Sequence, residues 1–251
     1  MNLCLVVPHY NHEQAFADFL PTLQTLSLPC IVVDDGSSTQ SLELVQQLVA
    51  DYDNIHLFEH GYNRGKGAAV ITAFYHARTM GYTHVIQIDA DGQHDIKDVQ
   101  RFIDYGTLHP NTIVSGKPTF DDSAPKARLY GRRVTDFWVA LETLSLQIKD
   151  SLCGFRLFPL QEMEHLLDNY HIGPRMDFDT DILVKAVWED IPLHFIPTRV
   201  IYPDNSVSHF HYLRDNCLLI RLHSRLLLGM VWRAPKLLYR RLRSWLSKSK
   251  I

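Results

Sequence analysis

The residues best suited to chemistry form an acidic cluster directly after a short apolar run. Residues 85–88 are mostly β-branched, which favours a strand buried on both faces. The run continues into Asp89, Ala90, Asp91, Gly92, Gln93 and His94. Because an unpartnered buried carboxylate is costly, the two acids should lie at the exposed end of the strand. Oxygen donors placed there suit a divalent cation that also holds phosphates, although Asp91-Gly92 equally suits an ordinary polar turn.

Two other polar segments follow apolar runs in the same half of the chain. Asp34 and Asp35 come after a Val-rich run, and residues 61–67 place Asn, Arg and Lys among three glycines. Such glycines let backbone amides approach a phosphate at the start of a helix. The segment is not a Walker loop, and no Gly-x-Gly-x-x-Gly follows the first strand. A dinucleotide-binding Rossmann site is therefore only weakly supported.

The strands and helices that position these segments are predicted by alternating sequence patterns. Strands are predicted at 3–7, 29–33, 55–58, 85–88, 112–118 and within 192–201, with helical stripes at 12–26, 41–52, 67–80 and 135–148. This alternation predicts an α/β fold with a mainly parallel, doubly wound sheet flanked by helices. Phe137 and Leu141 are predicted to face inward on the 135–148 helix. The polar segment 119–131 suits either a lid over the ligand or a plain surface loop.

Length and composition limit the alternatives. The chain has 251 residues, 46% hydrophobic and 21% charged, which allows one large globular domain or two small ones. Its four cysteines are scattered without a Cys-x-x-Cys pair, which argues against a zinc site or disulfide framework and favours a reducing compartment. The first residues lack a signal peptide's charged region, and no apolar run of about 18 residues predicts a membrane span.

The charge of the chain is uneven. From Arg214 to Ile251 there are ten Lys and Arg residues and one acid, whereas the rest carries 15 basic and 27 acidic residues. Leucines at helical spacing and two tryptophans accompany these basic residues. We therefore predict a domain over residues 1–212 and a basic amphipathic helical tail over 213–251 that meets an anionic membrane surface. The alternative is a tail packed on the domain or on another subunit. Nucleic acid is disfavoured because the acidic body would repel it.

Four motifs in a fixed order carry a family resemblance. They are Val7-Pro8-His9-Tyr10-Asn11, Val32-Val33-Asp34-Asp35-Gly36-Ser37, Asn63-x-Gly65-Lys66-Gly67 and Asp89-Ala90-Asp91-Gly92-Gln93. Together they resemble family-2 glycosyltransferases of GT-A fold, especially the branch of dolichyl-phosphate mannose synthases and polyprenyl-phosphate glycosyltransferases. The resemblance covers roughly residues 3–210. It departs from the family pattern at His12, where many relatives have Glu.

The resemblance implies roles for particular residues. Pro8 and Tyr10 would line the nucleotide pocket, and Asp35 would hold the base or ribose. Lys66 would lie near the nucleotide, and Asp89 would serve the sugar diphosphate. Asp91 and Gln93 would bind Mg²⁺ or Mn²⁺. Gly154 and Arg156 would lie beside the acceptor, with Arg156 paired either to an internal acid or to an acceptor phosphate. Ser208 and His209 stand where relatives have Gly-x-Ser-Lys, so His209 would bind phosphate or metal. Asp179 matches the catalytic acid, unless it only favours a helix N-terminus.

The resemblance thus implies an inverting, metal-dependent glycosyltransferase. It would use a UDP- or GDP-sugar and a lipid or lipid-linked acceptor such as a polyprenyl phosphate, from a cytoplasmic, peripheral position on the inner face of the membrane. A hydroxyl acceptor would need Asp179 as a base, whereas a phosphate acceptor would need it only for positioning. The alternatives are a nucleotidyltransferase, which residues 8–11 do not favour, and a non-catalytic nucleotide-sugar-binding protein. No oligomeric state is predicted.

Overall fold

The computed structural model describes residues 1–119, 126–200 and 212–248. Within these ranges the strands are β1 (Leu3–His9), β2 (Cys30–Asp34), β3 (Ile55–Glu59), β4 (His84–Gln87), β5 (Ile113–Thr119), β6 (Arg156–Pro159) and β7 (Leu193–Arg199). The α-helices are α1 (Glu13–Gln24), α2 (Thr39–Val49), α3 (Lys66–Thr79), α4 (Val99–Leu108), α5 (Lys126–Thr143), α6 (Leu160–Asn169), α7 (Phe178–Trp188) and α8 (Tyr212–Lys248).

The strands form one sheet in the order β3-β2-β1-β4-β6-β5-β7. All neighbours are parallel except β6, which runs antiparallel to both β4 and β5. The predicted α/β fold with a mainly parallel sheet is therefore confirmed. Strand β6 was not predicted, because a segment of four residues is too short to show the alternating pattern of a strand.

Helices cover both faces of the sheet, which is why the central strands are apolar on both sides. Phe16, Phe102 and Phe155 lie in the core beneath α1, α2 and α4. On the other face, Phe74 and Phe178 pack with residues of α3, α6 and α7. The polar residues of the central strands therefore concentrate at the ends of those strands.

Helix α5 differs from its prediction. It begins at Lys126, inside the segment predicted as a polar loop, and ends at Thr143. Phe137 is 65% exposed and Leu141 is 38% exposed, so the predicted inward orientation of both side chains is wrong. The reason is that α5 packs on α7 and α8, and its buried side carries Val139 instead. The suggested lid falls partly on residues 120–125, outside the described residues.

Helix α8 contains 37 residues and packs on the rest of the protein. Its Leu222, Leu226 and Leu237 are buried with Trp188 of α7 and Val139 of α5. The predicted helical tail thus has an inner side that belongs to a hydrophobic cluster. In the described ranges, no helix combines the length and hydropathy needed to cross a bilayer.

Candidate active site

The carboxyl ends of β1, β2 and β4 lie side by side at one edge of the sheet. Strand pairing places His9 opposite Asp34, and β1 pairs with β4 on its other side. The N–H of Asp35 donates to the carbonyl of His9 at 2.8 Å. The chain leaves β4 toward Asp89 and Asp91 at the same edge. The acids predicted to act together are therefore assembled where ligands bind in open α/β sheets.

Asp34 ties two strand ends together. Its carboxylate hydrogen-bonds Nδ1 of His9 at 2.8 Å and accepts from the N–H and the hydroxyl of Ser37 at 2.9 and 2.5 Å. Burial would raise the pKa of Asp34, but these hydrogen bonds outweigh burial and hold the pKa below its ordinary value. The geometry gives Asp34 a structural role.

Asp35 is 2% exposed and organises the glycine-rich loop. It accepts hydrogen bonds from the N–H groups of Arg64 and Gly65 at 2.9 and 2.7 Å, and it pairs with Nδ1 of His60 at 2.8 Å. Two amides of the loop therefore point at this carboxylate. A role for Asp35 on the base or ribose stays a prediction, and a nucleotide would share the acid with these donors.

The glycines of the loop allow close packing against the segment before α7. Gly65 has φ +107°, and a Cβ there would meet the carbonyl of Pro174 at 2.5 Å. A Cβ on Gly67 would meet the Cβ of Phe178 at 2.5 Å. The N–H of Ala68 donates to the carbonyl of Pro174 at 2.8 Å. The start of α3 is thus fixed on residues 173–178.

Lys66, the first residue of α3, bridges two carboxylates. Its Nζ lies 2.9 and 3.0 Å from the oxygens of Asp89 and 3.1 Å from Oδ2 of Asp179. Burial would lower the pKa of Lys66, but the two acids outweigh burial and raise the pKa above its ordinary value. Lys66 therefore remains a cation that joins the acidic cluster after β4 to the start of α7.

Gly154 makes room for this bridge. A Cβ at Gly154 would lie 2.6 Å from both Oδ2 of Asp89 and Nζ of Lys66. Burial would raise the pKa of Asp89, but Lys66 outweighs burial and lowers it below its ordinary value. In this structure Gly154 thus lets the backbone approach the ion pair. Its predicted approach to a sugar stays a prediction.

Asp179 also faces Arg156, which is completely buried. The guanidinium donates to the carbonyls of Asp179 and Ser151 at 2.7 and 2.9 Å, and Nη1 lies 3.5 Å from Oδ1 of Asp179. Of the two alternatives for Arg156, this geometry matches pairing with an internal acid. Asp179 consequently lies between two cations, Lys66 and Arg156.

Asp91 adds negative charge that these two cations do not balance. Its Oδ1 accepts from the N–H of Gln93 at 3.1 Å. Burial first, and the charge of Asp89 second, raise the pKa of Asp91 to about 6. Nδ1 of His94 is buried without a hydrogen bond, and the ring lies within electrostatic reach of Asp89 and Lys66. A carboxylate charge that Lys66 and Arg156 do not balance fits the binding of a divalent cation at Asp91.

The described residues contain no group of three His, Cys, Asp or Glu side chains arranged to hold a metal. Asp91 and Gln93 are placed together, whereas the predicted ligand His209 and its neighbour Ser208 lie outside the described residues. Pro8 and Tyr10, the predicted nucleotide contacts, are half-buried at the end of β1. Their roles stay predictions.

Several residues of the site were not predicted from the sequence. His60 follows β3 and hydrogen-bonds Asp35, while its Nε2 lies 3.0 Å from the hydroxyl of Thr72. Arg175 donates to the side-chain oxygen of Asn63 at 2.8 Å, which clasps the glycine-rich loop. The only sequence feature that could have indicated His60 is its position at the end of a strand, next to a glycine.

Several curated relatives of this chain carry dolichyl phosphate in their names. A dolichyl-phosphate beta-glucosyltransferase of Trichomonas vaginalis is 29% identical over 206 residues, covering 72% of this chain and 60% of that protein. One from Dictyostelium discoideum is 28% identical over 257 residues, covering 92% and 76%. A UDP-N-acetylglucosamine–dolichyl-phosphate N-acetylglucosaminyltransferase of Methanococcus voltae is 23% identical, covering 81% and 87%. The chain thus spans from about three fifths to most of the length of these relatives.

Solved structures show the same fold. Glucosyl-3-phosphoglycerate synthase from Mycobacterium tuberculosis, in complex with UDP, aligns with a TM-score of 0.64 at 16% identity, covering 91% of this chain and 79% of that one. A mannosyltransferase from Pyrobaculum calidifontis, in complex with GDP-mannose and Mn²⁺, aligns at 0.59 with 18% identity, covering 95% and 73%. The GT-A fold that the resemblance implied is therefore confirmed.

The family description "Glycosyl transferase family 2" matches residues 4–161, which is more than half of the chain. That range contains β1 to β6 and the acids at the ends of β2 and β4. This chain belongs to glycosyl transferase family 2.

Proposed function

We propose that this protein is an inverting glycosyltransferase that moves a sugar from a UDP- or GDP-sugar to a lipid phosphate acceptor. The observation that carries the proposal is the site in which Lys66 joins Asp89 to Asp179 at the sheet edge. Relatives named for dolichyl-phosphate glycosylation support the acceptor class.

The reaction replaces one bond at the anomeric carbon. An acceptor oxygen attacks that carbon from the face opposite the nucleotide, the bond to the diphosphate oxygen breaks, and the nucleoside diphosphate leaves with the electron pair. A divalent cation near Asp91 and Gln93 would neutralise the charge that develops on the diphosphate. Lys66 supplies a further positive charge on the donor side, where Asp89 orients it.

The surroundings of Asp179 favour a phosphate over a hydroxyl acceptor. Its Oδ2 accepts a hydrogen bond from Lys66 at 3.1 Å, and its Oδ1, which makes no hydrogen bond, faces Arg156 at 3.5 Å. A carboxylate engaged in this way is suited to holding Lys66 in place rather than to removing a proton. A phosphate oxygen is already a nucleophile and needs no general base, so Asp179 then acts by positioning.

The test is transfer of labelled sugar with matched acceptors. UDP-glucose, UDP-N-acetylglucosamine and GDP-mannose are each incubated with a polyprenyl phosphate or the corresponding polyprenol, with Mg²⁺, Mn²⁺ or EDTA. We expect metal-dependent transfer to the phosphate only, with release of nucleoside diphosphate. Release of pyrophosphate would instead identify a nucleotidyltransferase. Donor binding without transfer to either acceptor would support a non-catalytic nucleotide-sugar-binding protein.

We also propose that the protein acts at the surface of an anionic membrane, on its cytoplasmic face. Exposed apolar side chains form stripes on the outer sides of α5 and α8. They are Tyr130, Val134, Phe137 and Leu141 on α5, and Leu228, Val231, Trp232, Tyr239 and Leu242 on α8. Aromatic and leucine side chains of this kind enter the headgroup region of a bilayer.

The basic residues of α8 contribute less to membrane attraction than their number suggests. Arg225 pairs with Asp181, and Arg240 donates to the carbonyl of Trp188 at 2.7 Å. Arg233 lies over the ring of Trp188, 4.5 Å from its centre. Much of the charge thus faces the acidic body of the protein. We therefore expect vesicle binding that depends on the apolar stripe as well as on salt.

Vesicle cosedimentation tests the membrane proposal. The combined variant Leu228→Ser/Trp232→Ser should lose most binding to vesicles that contain phosphatidylserine, and wild-type binding should weaken as salt rises. Leu108→Ser is the matched control, because Leu108 is 76% exposed at the end of α4. Equal binding by all three proteins, or no binding by folded wild type at low salt, would remove the membrane proposal.

A further inference from the structure

Helix α7 carries a second acid close to Asp179 that faces away from the candidate donor site. Asp181 is completely buried, and the whole of α7 from Phe178 to Trp188 is buried as well. Oδ1 of Asp181 lies 2.6 Å from Nζ of Lys185 on the next turn of the same helix. The charge of Asp181 is therefore compensated within α7 itself.

The other oxygen of Asp181 joins two separate parts of the chain. It accepts from the N–H of Gly173 at 2.7 Å, and Nη2 of Arg225 lies 2.7 Å away. Arg225 lies on α8, 44 residues further along the chain. Leu222 and Leu226, on either side of Arg225, are buried against Val184 and Trp188, so packing fixes α8 at this position, while the Arg225 side chain itself is 41% exposed. A single carboxylate thus connects α8 to the loop before α7.

That loop in turn supports the start of α3, which carries Lys66. The carbonyl of Pro174 accepts from Ala68, and Phe178 packs against Gly67. These contacts fix the start of α3, where Lys66 meets Asp179. An unbroken series of contacts therefore leads from Arg225 through Asp181 and the loop to the ion pair.

We infer that Arg225 is a positioning residue for sugar transfer, and that α8 belongs to the catalytic machinery rather than serving only as a membrane attachment. Arg225 holds Asp181, and through it the loop at Gly173, in a fixed position against α3. This keeps Asp179 and Lys66 at their observed separation. The inference rests on the proposed function for its kinetic consequence. Its structural part, the coupling of α8 to residues 173–181, stands independently of that function.

Variants at Arg225 separate positioning from simple stability. Arg225→Gln removes the contact while Lys185 still compensates Asp181, so the fold should persist. Arg225→Lys keeps a cation at the same place. Arg78→Gln is the matched control, because Arg78 forms an exposed ion pair with Glu164 in the last turn of α3, at the opposite end of that helix from Lys66. We expect Arg225→Gln to lower kcat about tenfold or more with the donor KM nearly unchanged, since small misplacements of reacting groups are costly.

Arg225→Lys should recover part of that kcat, and Arg78→Gln should match wild type. Vesicle binding should be the same for all four proteins. Amide hydrogen exchange gives the readout that does not need activity. Residues 173–181 should exchange faster in Arg225→Gln than in Arg78→Gln, while the central strands remain equally protected.

Unchanged kcat and unchanged exchange at 173–181 in Arg225→Gln would overturn the inference. So would faster exchange throughout the protein with no rescue by lysine, because that result means general destabilisation. If wild type transfers no sugar to any acceptor, the proposed function fails. Local exchange at 173–181 then still decides whether α8 positions this segment.

Discussion

Nζ of Lys66 lies 3.1 Å from Oδ2 of Asp179, although 113 residues separate them along the chain. The same ammonium group contacts Asp89 at 2.9 Å. One side chain at the start of α3 therefore holds the acid that follows β4 beside the acid that begins α7. Under the proposed function, this one ammonium group links the donor-side and acceptor-side residues electrostatically.

Replacing Lys66 with Met should damage both activity and stability. Asp89 and Asp179 would lose their shared cation while remaining largely buried, which should cost about 1–3 kcal/mol of unfolding free energy because Lys66 is partly exposed. Turnover should fall by about 10² or more. Radiolabel transfer and thermal unfolding measure the two effects. Lys97→Met, a change at an exposed lysine, is the control; equal loss in both variants would contradict the assignment.

Asp179→Asn should lower turnover by about 10², through loss of positioning, while donor affinity is kept. The amide retains the shape of the side chain but no longer holds the Lys66 ammonium as an ion pair. Calorimetric titration with the nucleotide sugar and steady-state kinetics separate binding from chemistry. Lost donor binding would move Asp179 from the reaction step to the donor site.

Asp91→Asn should abolish metal-dependent transfer and yet stabilise the metal-free protein. The pKa of Asp91 is raised to about 6, so at pH 7.5 its ionised form destabilises the fold relative to a neutral side chain. We expect a gain on the order of 1 kcal/mol at pH 7.5, because each pKa unit corresponds to about 1.4 kcal/mol. Denaturant unfolding in EDTA measures it.

The sign of the pH dependence provides the internal control for Asp91. A carboxyl whose folded-state pKa is raised costs stability above pH 6, and this cost fades as the pH falls toward 4. The stabilisation by Asn should therefore shrink between pH 7.5 and 5. Mn²⁺ affinity of the wild type should fall below pH 6, because protons then compete for Asp91. A metal affinity that does not change across this range would rule out Asp91 as a ligand.

Gly154→Ala should disrupt the Lys66–Asp89 pair more than it disturbs the fold. The added Cβ would lie 2.6 Å from both partners, and Nζ of Lys66 is the movable end of a flexible side chain. We expect a loss of turnover of about tenfold or more with a small shift in Tm. Gly131→Ala is the matched control, since nothing lies within 4 Å of a Cβ there. Full activity in Gly154→Ala would show that the bridge tolerates displacement.

Asp35→Ala should weaken nucleotide binding even when the sugar is absent. Loss of hydrogen bonds to a ribose or base would cost about 1–3 kcal/mol of binding free energy. The alanine also frees the amides of Arg64 and Gly65, so the loop should loosen. Calorimetry with UDP and GDP gives the affinity. If the nucleotide that binds to wild type binds equally well to the variant, Asp35 does not contact the nucleoside.

Most of the parallel half of the fold was predictable because its strands and helices alternate strongly. Each acid at a strand end was found by residue type and position alone. Lys66 was assigned to the nucleotide, but its contact with Asp179 depends on how α7 packs on α3, which no local pattern encodes. The direction in which Arg156 points is likewise a tertiary property.

Helix α5 shows where periodicity fails. Phe137 and Leu141 have the spacing of a buried stripe, yet they are exposed because α8 covers a different side of the helix. The tail carries the counted charges, but Arg225, Arg233 and Arg240 face inward, toward the Asp181 carboxylate, the Tyr170 hydroxyl and the Trp188 carbonyl respectively. Composition gives the number of charges and not the direction in which they point.

The reversed direction of β6 has a consequence for how such a protein can diversify. Because β6 runs against β4, its first residues enter the sheet at the edge where β4 ends, and Gly154 meets Asp89 there. Residues 90–153, which connect them, therefore begin and end at the same edge of the sheet. We expect insertions in the connections between α4, β5 and α5 to leave the Asp89–Lys66 pair in place, because both ends of the stretch are fixed at this edge of the sheet. Changes in length are therefore expected between the helices and strands of this stretch, and not at its first residues, where Asp91 and Gln93 belong to the candidate metal site.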